Sequence, residues 1–221
     1  MKSLVGMAAL VFTGVAICGA QSRPTMDCRF PDAGFAAVPD SPIRIAEVVP
    51  PSAATLVACG SPQGCAILRA RRGTPVEIYE VQRDWTCGYF SSSDGAGPAW
   101  IRSSALRVLS YSPHPAANLW EGTWVGGEDR VRIRSAQPGT LRLSGGAQWH
   151  GRKDNIHFGD FNGEAAPQGN HLHFVENGPD SCTIDLTLLG RYILASDNQR
   201  CGGMNVRFQG IWKRIAVSRA P

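Results

Sequence analysis

The stretch Trp120-Glu121-Gly122-Thr123-Trp124-Val125-Gly126 opens a series of short apolar runs that decides the fold class. Later runs alternate apolar and polar residues, as strands with one buried face do. These runs occupy 131–133, 141–143, 147–149, 156–158, 171–175, 182–188, 192–194 and 206–212, with Gly-, Asn- and Pro-rich turn clusters between them. About eight evenly spaced strands without helical periodicity predict a closed antiparallel β-barrel over 118–215, followed by a tail at 216–221.

Upstream of this barrel, the chain breaks at Tyr111-Ser112-Pro113-His114-Pro115-Ala116-Ala117. Two prolines so close together block both helix and ladder hydrogen bonds, so the segment 111–117 is predicted to be a linker. A chain of 221 residues has room for two small domains, one on each side of it.

The segment 43–110 reads as short strands with turns between them. Trp85, Cys87 and Tyr89 alternate with polar or small residues, and Asp94-Gly95-Ala96-Gly97-Pro98 forms a turn cluster. Five or six strands in this segment would make a small barrel. The composition agrees, because 25 Gly and 15 Pro with only 18% charged residues are typical of a turn-rich all-β chain.

The first 20 residues are predicted to be a cleaved signal peptide, with Lys2 before an apolar run and Cys18-Gly19-Ala20 before the cut. This run is shorter than the roughly 20 residues of a membrane span. A lipid anchor at Cys18 is disfavoured by the bulky Ile17 before it. Residues 21–42 are expected to form an irregular lead, and the mature protein is predicted to be periplasmic or secreted.

Of the 7 cysteines, all but Cys18 remain after cleavage. An even set in an exported chain indicates disulfides, and the competing metal-cluster interpretation lacks a Cys-x-x-Cys pair or a nearby histidine. Within the second half, Cys182 can pair only with Cys201. The first half allows three pairings among Cys28, Cys59, Cys65 and Cys87, and its sequence does not choose between them.

The first half resembles the bacterial SH3 domain over about residues 55–110. The resemblance rests on Arg71-Arg72-Gly73, the strand Val76–Val81, Trp85, and Gly97-Pro98-Ala99-Trp100-Ile101 before Ser103-Ser104-Ala105-Leu106. Two features depart from the family pattern: Pro98-Ala99 before the tryptophan, and cysteines in the early strand. The resemblance implies an SH3-like barrel and a cell-wall peptide or glycan as ligand.

In the second half, Gly122-x-Trp124 together with Arg214 is similar to the lipocalin and avidin-like superfamily, in which such a tryptophan packs under such an arginine near the barrel base. The closing segment 197–210 is also similar to C-terminal β-domains of small exported bacterial proteins, some of them lysozyme-inhibitor-like.

Six residues of the first half are candidates for ligand binding. Trp85, Tyr89 and Trp100 could line a groove in which rings stack on sugars or peptide backbone, or they could form the core of a small barrel. Arg69, Arg71 and Arg72 could bind carboxylates or phosphates through their guanidinium forks. The alternative for these arginines, with Glu77 and Glu80 nearby, is a solvated face.

His171 and His173 are the weak candidates for a metal site, because residues i and i+2 of a strand share a face. His150 or His157 could add a ligand, and Asp160 or Glu164 could activate water in a zinc-dependent hydrolase. The alternative places both histidines on the polar outer face, since Leu172 and Phe174 mark the apolar side. Neither a metal nor another cofactor is predicted.

The combined prediction is an exported, non-enzymatic binding protein whose SH3-like module recognises peptidoglycan peptide or glycan. The alternative is an inhibitor of a lysozyme or another wall hydrolase, with the stretch 160–170 as an exposed plug. Zinc-dependent hydrolysis is a third reading. Nucleic acid is not expected as a partner, because removal of Lys2 leaves a formal charge of only +3 from +4.

Overall fold

The structure is a computed structural model that describes residues 28, 44–49, 53–61, 64–92, 95–127, 129–178 and 181–215. Of residues 53–61, 64–68, 91–92 and 95–96 it describes the backbone only. The predicted signal peptide with Cys18, most of the lead at 21–42, and the tail at 216–221 lie outside the described residues.

The described chain is almost entirely β-structure, as the sequence predicts, and its strands fall into two antiparallel sheets. The first half forms seven strands, where five or six were expected: β1 Arg44–Val48, β2 Ala53–Ser61, β3 Gly64–Arg71, β4 Pro75–Gln82, β5 Trp85–Ser92, β6 Gly95–Arg102 and β7 Leu106–Val108. Their order in the sheet is β3-β2-β6-β5-β4-β1-β7. A short 3-10 turn, Ser103–Ala105, connects β6 to β7.

The first sheet buries one face around Val48, Ala70, Val76, Phe90 and Ile101. This core is small, and the Cys28–Cys87 disulfide adds a second buried cluster beside it. Of the three pairings that the sequence leaves open, this bond is compatible with one, in which Cys59 and Cys65 would pair with each other. The side chains of those two residues lie outside the described ones.

The second half forms eight strands: β8 Gly122–Gly126, β9 Asp129–Ser135, β10 Leu141–His150, β11 Ile156–Ala165, β12 His171–Val175, β13 Thr183–Leu189, β14 Tyr192–Asp197 and β15 Gly210–Ile215. Their order is β11-β10-β9-β8-β15-β14-β13-β12, so the first strand pairs with the last. The sheet curls into a nearly closed barrel, in which β11 comes next to β12.

Aromatic rings fill the interior of this barrel. Phe161 on β11 meets Phe174 on β12 with ring centroids 5.2 Å apart, which joins the two ends of the sheet. Phe208 packs edge-on against Phe161. At the other side, Arg214 lies over the ring of Trp124, with its guanidinium carbon 4.7 Å from the ring centroid. This is the contact that the Gly122-x-Trp124 and Arg214 pattern implies.

The predicted Cys182–Cys201 disulfide is confirmed.

The residues between the two sheets, 109–116, contain no strand or helix. They lie on an apolar seam between the two modules, defined here by Ile45 of the first module and Leu189, Tyr192, Leu194 and Ile211 of the second. Tyr89, Leu109 and Tyr111 pack against this seam. The two modules are therefore joined by a shared apolar contact as well as by the chain.

Candidate functional site

The two candidate tryptophans of the first module are core residues. Trp100 is completely buried and Trp85 is 8% exposed, and both pack around the Cys28–Cys87 disulfide. Arg102 lies over the Trp85 ring, with its guanidinium carbon 4.1 Å from the centroid. Of the two interpretations of these tryptophans, the structure supports the core of a small barrel. A ligand platform on their faces does not fit, because the ring of Trp100 is not accessible.

Tyr89, the third aromatic candidate, is half-buried and packs against the seam. It pairs across the ladder with Glu77 on β4, and β5 holds it on the side of the sheet that faces the second module. The expected groove between loops therefore does not include this ring. Its burial and the nearby Glu77 carboxylate both raise the pKa of its hydroxyl.

The arginine candidates are all exposed. Arg69 and Arg71 point outward from β3, because Ala70 between them is buried in the core. Arg72 follows in the turn that leads to Gly73 and β4. Strand β3 is the end strand of the described sheet, so these three arginines belong to one edge of the first module.

The turn after these arginines is fixed to the rest of the protein by its backbone. The amide of Gly73 donates to the carbonyl of Val48 at 2.8 Å. The Tyr192 hydroxyl oxygen of the second module lies 3.4 Å from the carbonyl oxygen of Gly73. Gly73 has a φ of +79°, which favours glycine at this position. The basic edge is thus held where the two modules meet.

A buried carboxylate, Glu47, links the modules at the same place. Its side chain is 3% exposed. Oxygen Oε1 accepts hydrogen bonds from Arg191 Nε at 2.7 Å and from the Tyr192 hydroxyl at 2.6 Å, and a second bond from an Arg191 Nη. Oxygen Oε2 accepts from an Arg107 Nη at 3.3 Å. One carboxylate of the first module therefore holds an arginine and a tyrosine of the second.

The charge state of Glu47 follows from these partners. Burial acts to raise its pKa, but hydrogen bonds from Tyr192 and Arg191 and the Arg191 charge outweigh burial, so the pKa is lowered. The same contacts act on the partner: burial and the Glu47 hydrogen bond raise the pKa of Tyr192 to about 12. The cluster is an ionised glutamate with neutral tyrosine and charged arginine.

A second buried carboxyl group, Glu77, lies on β4 opposite Ile45 and Tyr89. It is 4% exposed, and its one hydrogen bond among the described contacts comes from the Tyr79 hydroxyl at 3.3 Å. Burial, with no cation among the described contacts of this side chain, raises its pKa to about 8. The expected solvated face therefore includes Glu80 but not Glu77, because the Glu77 side chain is buried.

The histidines of β12 are exposed, and each bonds its cross-strand neighbour on β13. His173 Nδ1 lies 2.7 Å from Asp185 Oδ1, and His171 Nδ1 lies 3.1 Å from the Thr187 hydroxyl. His157 instead contacts the Met204 carbonyl and the Trp149 ring. Within the described ranges, no group of three or more histidine, cysteine or acidic side chains is placed to hold a metal ion.

The stretch 160–170 is not an exposed loop as expected. Residues up to Ala165 belong to β11, and Phe161 is part of the barrel core. Asn170 is buried and bonds the Leu188 carbonyl at 3.4 Å. Only the segment 166–170 connects the two strands, so the expected plug of 160–170 is wrong: Gly163 lies within β11, close against the Phe174 ring.

Glu47 was not among the residues that the sequence singled out, and Glu77 was expected to belong to a solvated face. In Arg44-Ile45-Ala46-Glu47-Val48, the alternation places Ile45 and Glu47 on one face and Ala46 and Val48 on the other. The face that carries Ile45 and Glu47 lies opposite the core. An apolar residue on that face was the available signal that another part of the protein covers it.

None of the described helices has the length and hydropathy to cross a bilayer. No protein-family model, curated protein sequence or solved structure matches the chain.

Proposed function

We propose that this is an exported binding protein that recognises the carboxylates of cell-wall peptides through the basic edge formed by Arg69, Arg71 and Arg72. Guanidinium forks bind carboxylates with two parallel hydrogen bonds, which gives both affinity and orientation. The peptide stems of peptidoglycan carry free carboxylates and are accessible to an exported protein.

The observation that supports this proposal best is the anchoring of the turn behind the arginines. The Gly73 amide is bonded to Val48 of its own module, and the Gly73 carbonyl oxygen contacts the Tyr192 hydroxyl of the other. A binding edge that is already fixed loses little conformational entropy when a ligand binds. The backbone that presents the arginines therefore does not need to be ordered when a ligand binds.

The disulfides support the exported location. Cys28–Cys87 and Cys182–Cys201 both join buried cysteines, and such bonds persist in oxidising compartments. The predicted signal peptide agrees with this location.

The test is co-sedimentation of the mature chain, residues 21–221, with purified peptidoglycan sacculi. The double variant Arg69→Gln/Arg72→Gln removes two charges from the edge, and Arg152→Gln/Lys153→Gln removes two exposed charges from a turn of the barrel. We expect saturable pelleting that the first variant weakens at least fivefold and the second changes less than twofold.

Equal weakening by both variants would contradict the assignment to this edge and would indicate attraction to net charge alone. Protein that stays in the supernatant at every sacculus load would contradict wall binding. In that case the alternative partner, a soluble wall hydrolase, is tested next by inhibition of lysozyme activity on the same sacculi.

A further inference from the structure

A second basic surface lies on the barrel, on a face that the wall-binding proposal does not use. Strand β9 alternates between the barrel interior and its outside: Val131 and Ile133 are buried, whereas Arg130, Arg132 and Arg134 are exposed. Alternate residues of a strand lie about 7 Å apart. Three guanidiniums therefore form a straight row on the outer wall.

The neighbouring strands leave space on both sides of this row. Arg132 lies opposite Thr123 on β8 and Ser144 on β10, and Arg130 lies opposite Val125 and Gly146. These neighbours are short, and two of them carry hydroxyl groups. At the start of β8 a surface depression of ≈ 400 Å³ is lined by Gly122, Thr123, Arg132 and Arg134, with Glu121 also on its wall.

The charges of the row are not balanced by the described acidic residues. None of the described ion pairs involves Arg130, Arg132 or Arg134. Arg134 lies directly opposite Arg142, and like charges in that position destabilise a sheet. Arg142 is bound to Glu164 at 2.6 Å, which offsets part of this repulsion, whereas the described ion pairs do not include Arg134. An anion bound between β9 and β10 would relieve the repulsion between Arg134 and Arg142.

We propose that this face binds phosphate groups of an extended phosphodiester polymer, with Arg132 and Arg134 as the main contacts and Arg130 continuing the row. Successive phosphates of such a polymer repeat at a distance similar to the spacing of the arginines. A tetrahedral phosphate presents oxygens in several directions, so it can accept from a guanidinium and from the hydroxyl of Thr123 or Ser144 together.

The outward positions also indicate which class of phosphodiester fits. Those of β8 and β9 are Thr123, Val125 and the three arginines, and none of them carries an aromatic ring. Proteins that bind single-stranded nucleic acid use rings on which the bases stack. A polymer without bases, such as a chain of glycerol phosphate, therefore matches this face better than nucleic acid does.

The experiment uses the mature protein and a fluorescent glycerol-phosphate hexamer, with binding followed by fluorescence anisotropy at low salt. The variant Arg132→Gln/Arg134→Gln is compared with Arg152→Gln/Lys153→Gln, which lowers the net charge equally. We expect saturable binding that the first variant weakens at least tenfold and the second less than twofold. Glu121→Gln, which removes a negative charge from the depression, is expected to tighten binding about twofold.

Three results would overturn the proposal: no saturable binding by the wild-type protein, equal weakening by both double variants, or equally tight binding of a thymidylate hexamer. A second measurement covers the case of a misfolded variant. In the wild-type protein, the bound polymer should protect Arg132 and Arg134, but not Arg152, from modification by phenylglyoxal, and equal modification of all three would also overturn it. The sacculus test and this test use different arginines, so either proposal can fail alone.

Discussion

Glu47 and Glu77 lie on the same side of the first sheet, and both are almost completely buried, yet they differ in charge. Glu47 meets Arg191, Arg107 and Tyr192, and its pKa falls. Glu77 meets Tyr79 and no described cation, and its pKa rises to about 8. Burial alone thus does not decide the charge of a carboxyl group at this interface, because a cation supplied by the other module can reverse its effect.

The sharpest way to break this comparison is to remove the cation from Glu47. We expect Arg191→Met to lower the free energy of unfolding at pH 7 by about 3 kcal/mol, since it strands a buried carboxylate. Because the lowered pKa of Glu47 contributes stability that is lost as the pH falls below the ordinary value of 4.5, this deficit should shrink in acid. Urea unfolding at pH 7 and pH 3.5 measures it.

Arg152→Met is the matched control, because Arg152 is exposed in a turn of the barrel. Its effect should stay within about 0.5 kcal/mol. A loss in Arg191→Met that is the same at both pH values would show that packing, and not the Glu47 charge, accounts for it.

The second prediction concerns Glu77, the glutamate of the two whose carboxyl group is neutral. The folded state holds a proton on Glu77 between pH 4.5 and about 8, whereas the unfolded state releases it, so stability falls as the pH rises through this window. Glu77→Gln abolishes this dependence. From pH 5 to pH 7, the free energy of unfolding of the variant should therefore increase by about 2 kcal/mol relative to that of the wild-type protein.

Glu80→Gln, on the same strand but exposed, is the control and should follow the wild-type profile. Thermal or urea unfolding across the pH range gives both profiles. Parallel curves for Glu77→Gln and the wild-type protein would mean that Glu77 is ionised in the folded state, and the contrast with Glu47 would disappear.

A third prediction compares the two hydroxyl donors. Tyr192→Phe removes a bond to an ionised carboxylate and should lower the free energy of unfolding by about 1.5 kcal/mol at pH 7. Tyr79→Phe removes a longer bond to a neutral carboxyl group, and its effect should be less than half as large. Equal losses in urea unfolding would contradict the assigned charge states.

The smallest expected effect belongs to Arg107. Its side chain is 68% exposed and makes one contact of 3.3 Å with Glu47 Oε2. Arg107→Met should lower the free energy of unfolding by only about 0.5 kcal/mol, since a largely solvated cation contributes little. A loss as large as that of Arg191→Met would show that both cations hold Glu47 equally.

Much of the fold could be predicted from the sequence, because alternation and turn residues are local signals. They indicate the all-β class, about eight barrel strands and the break near 111–117, although the expected turn at 144–146 lies inside β10. The Cys182–Cys201 bond follows because the second half has only two cysteines. The expected strand count of the first half is too low, because β1, Arg44–Val48, is only five residues long and leaves little periodic signal.

The candidate site was less predictable for a physical reason. Alternation shows which residues share a face, but not whether a second module covers that face. Tyr89 and Glu77 were therefore interpreted as available to ligand or solvent, although Tyr89 packs against the seam and Glu77 is buried. Trp100 could be core or platform on sequence grounds, and a buried disulfide beside it settles its role. The exposed arginines could be identified, because alternation with a buried Ala70 is a local pattern.

Strand β15 has a consequence for how the molecule is assembled. Its adjacent residues Ile211 and Trp212 face opposite ways, one into the seam and the other into the barrel interior. The same strand pairs with β8 at the start of the barrel. Neither the closed barrel nor its junction with the first module can therefore form before β15 is in place. Closure of the barrel and docking of the two modules should therefore occur together during folding.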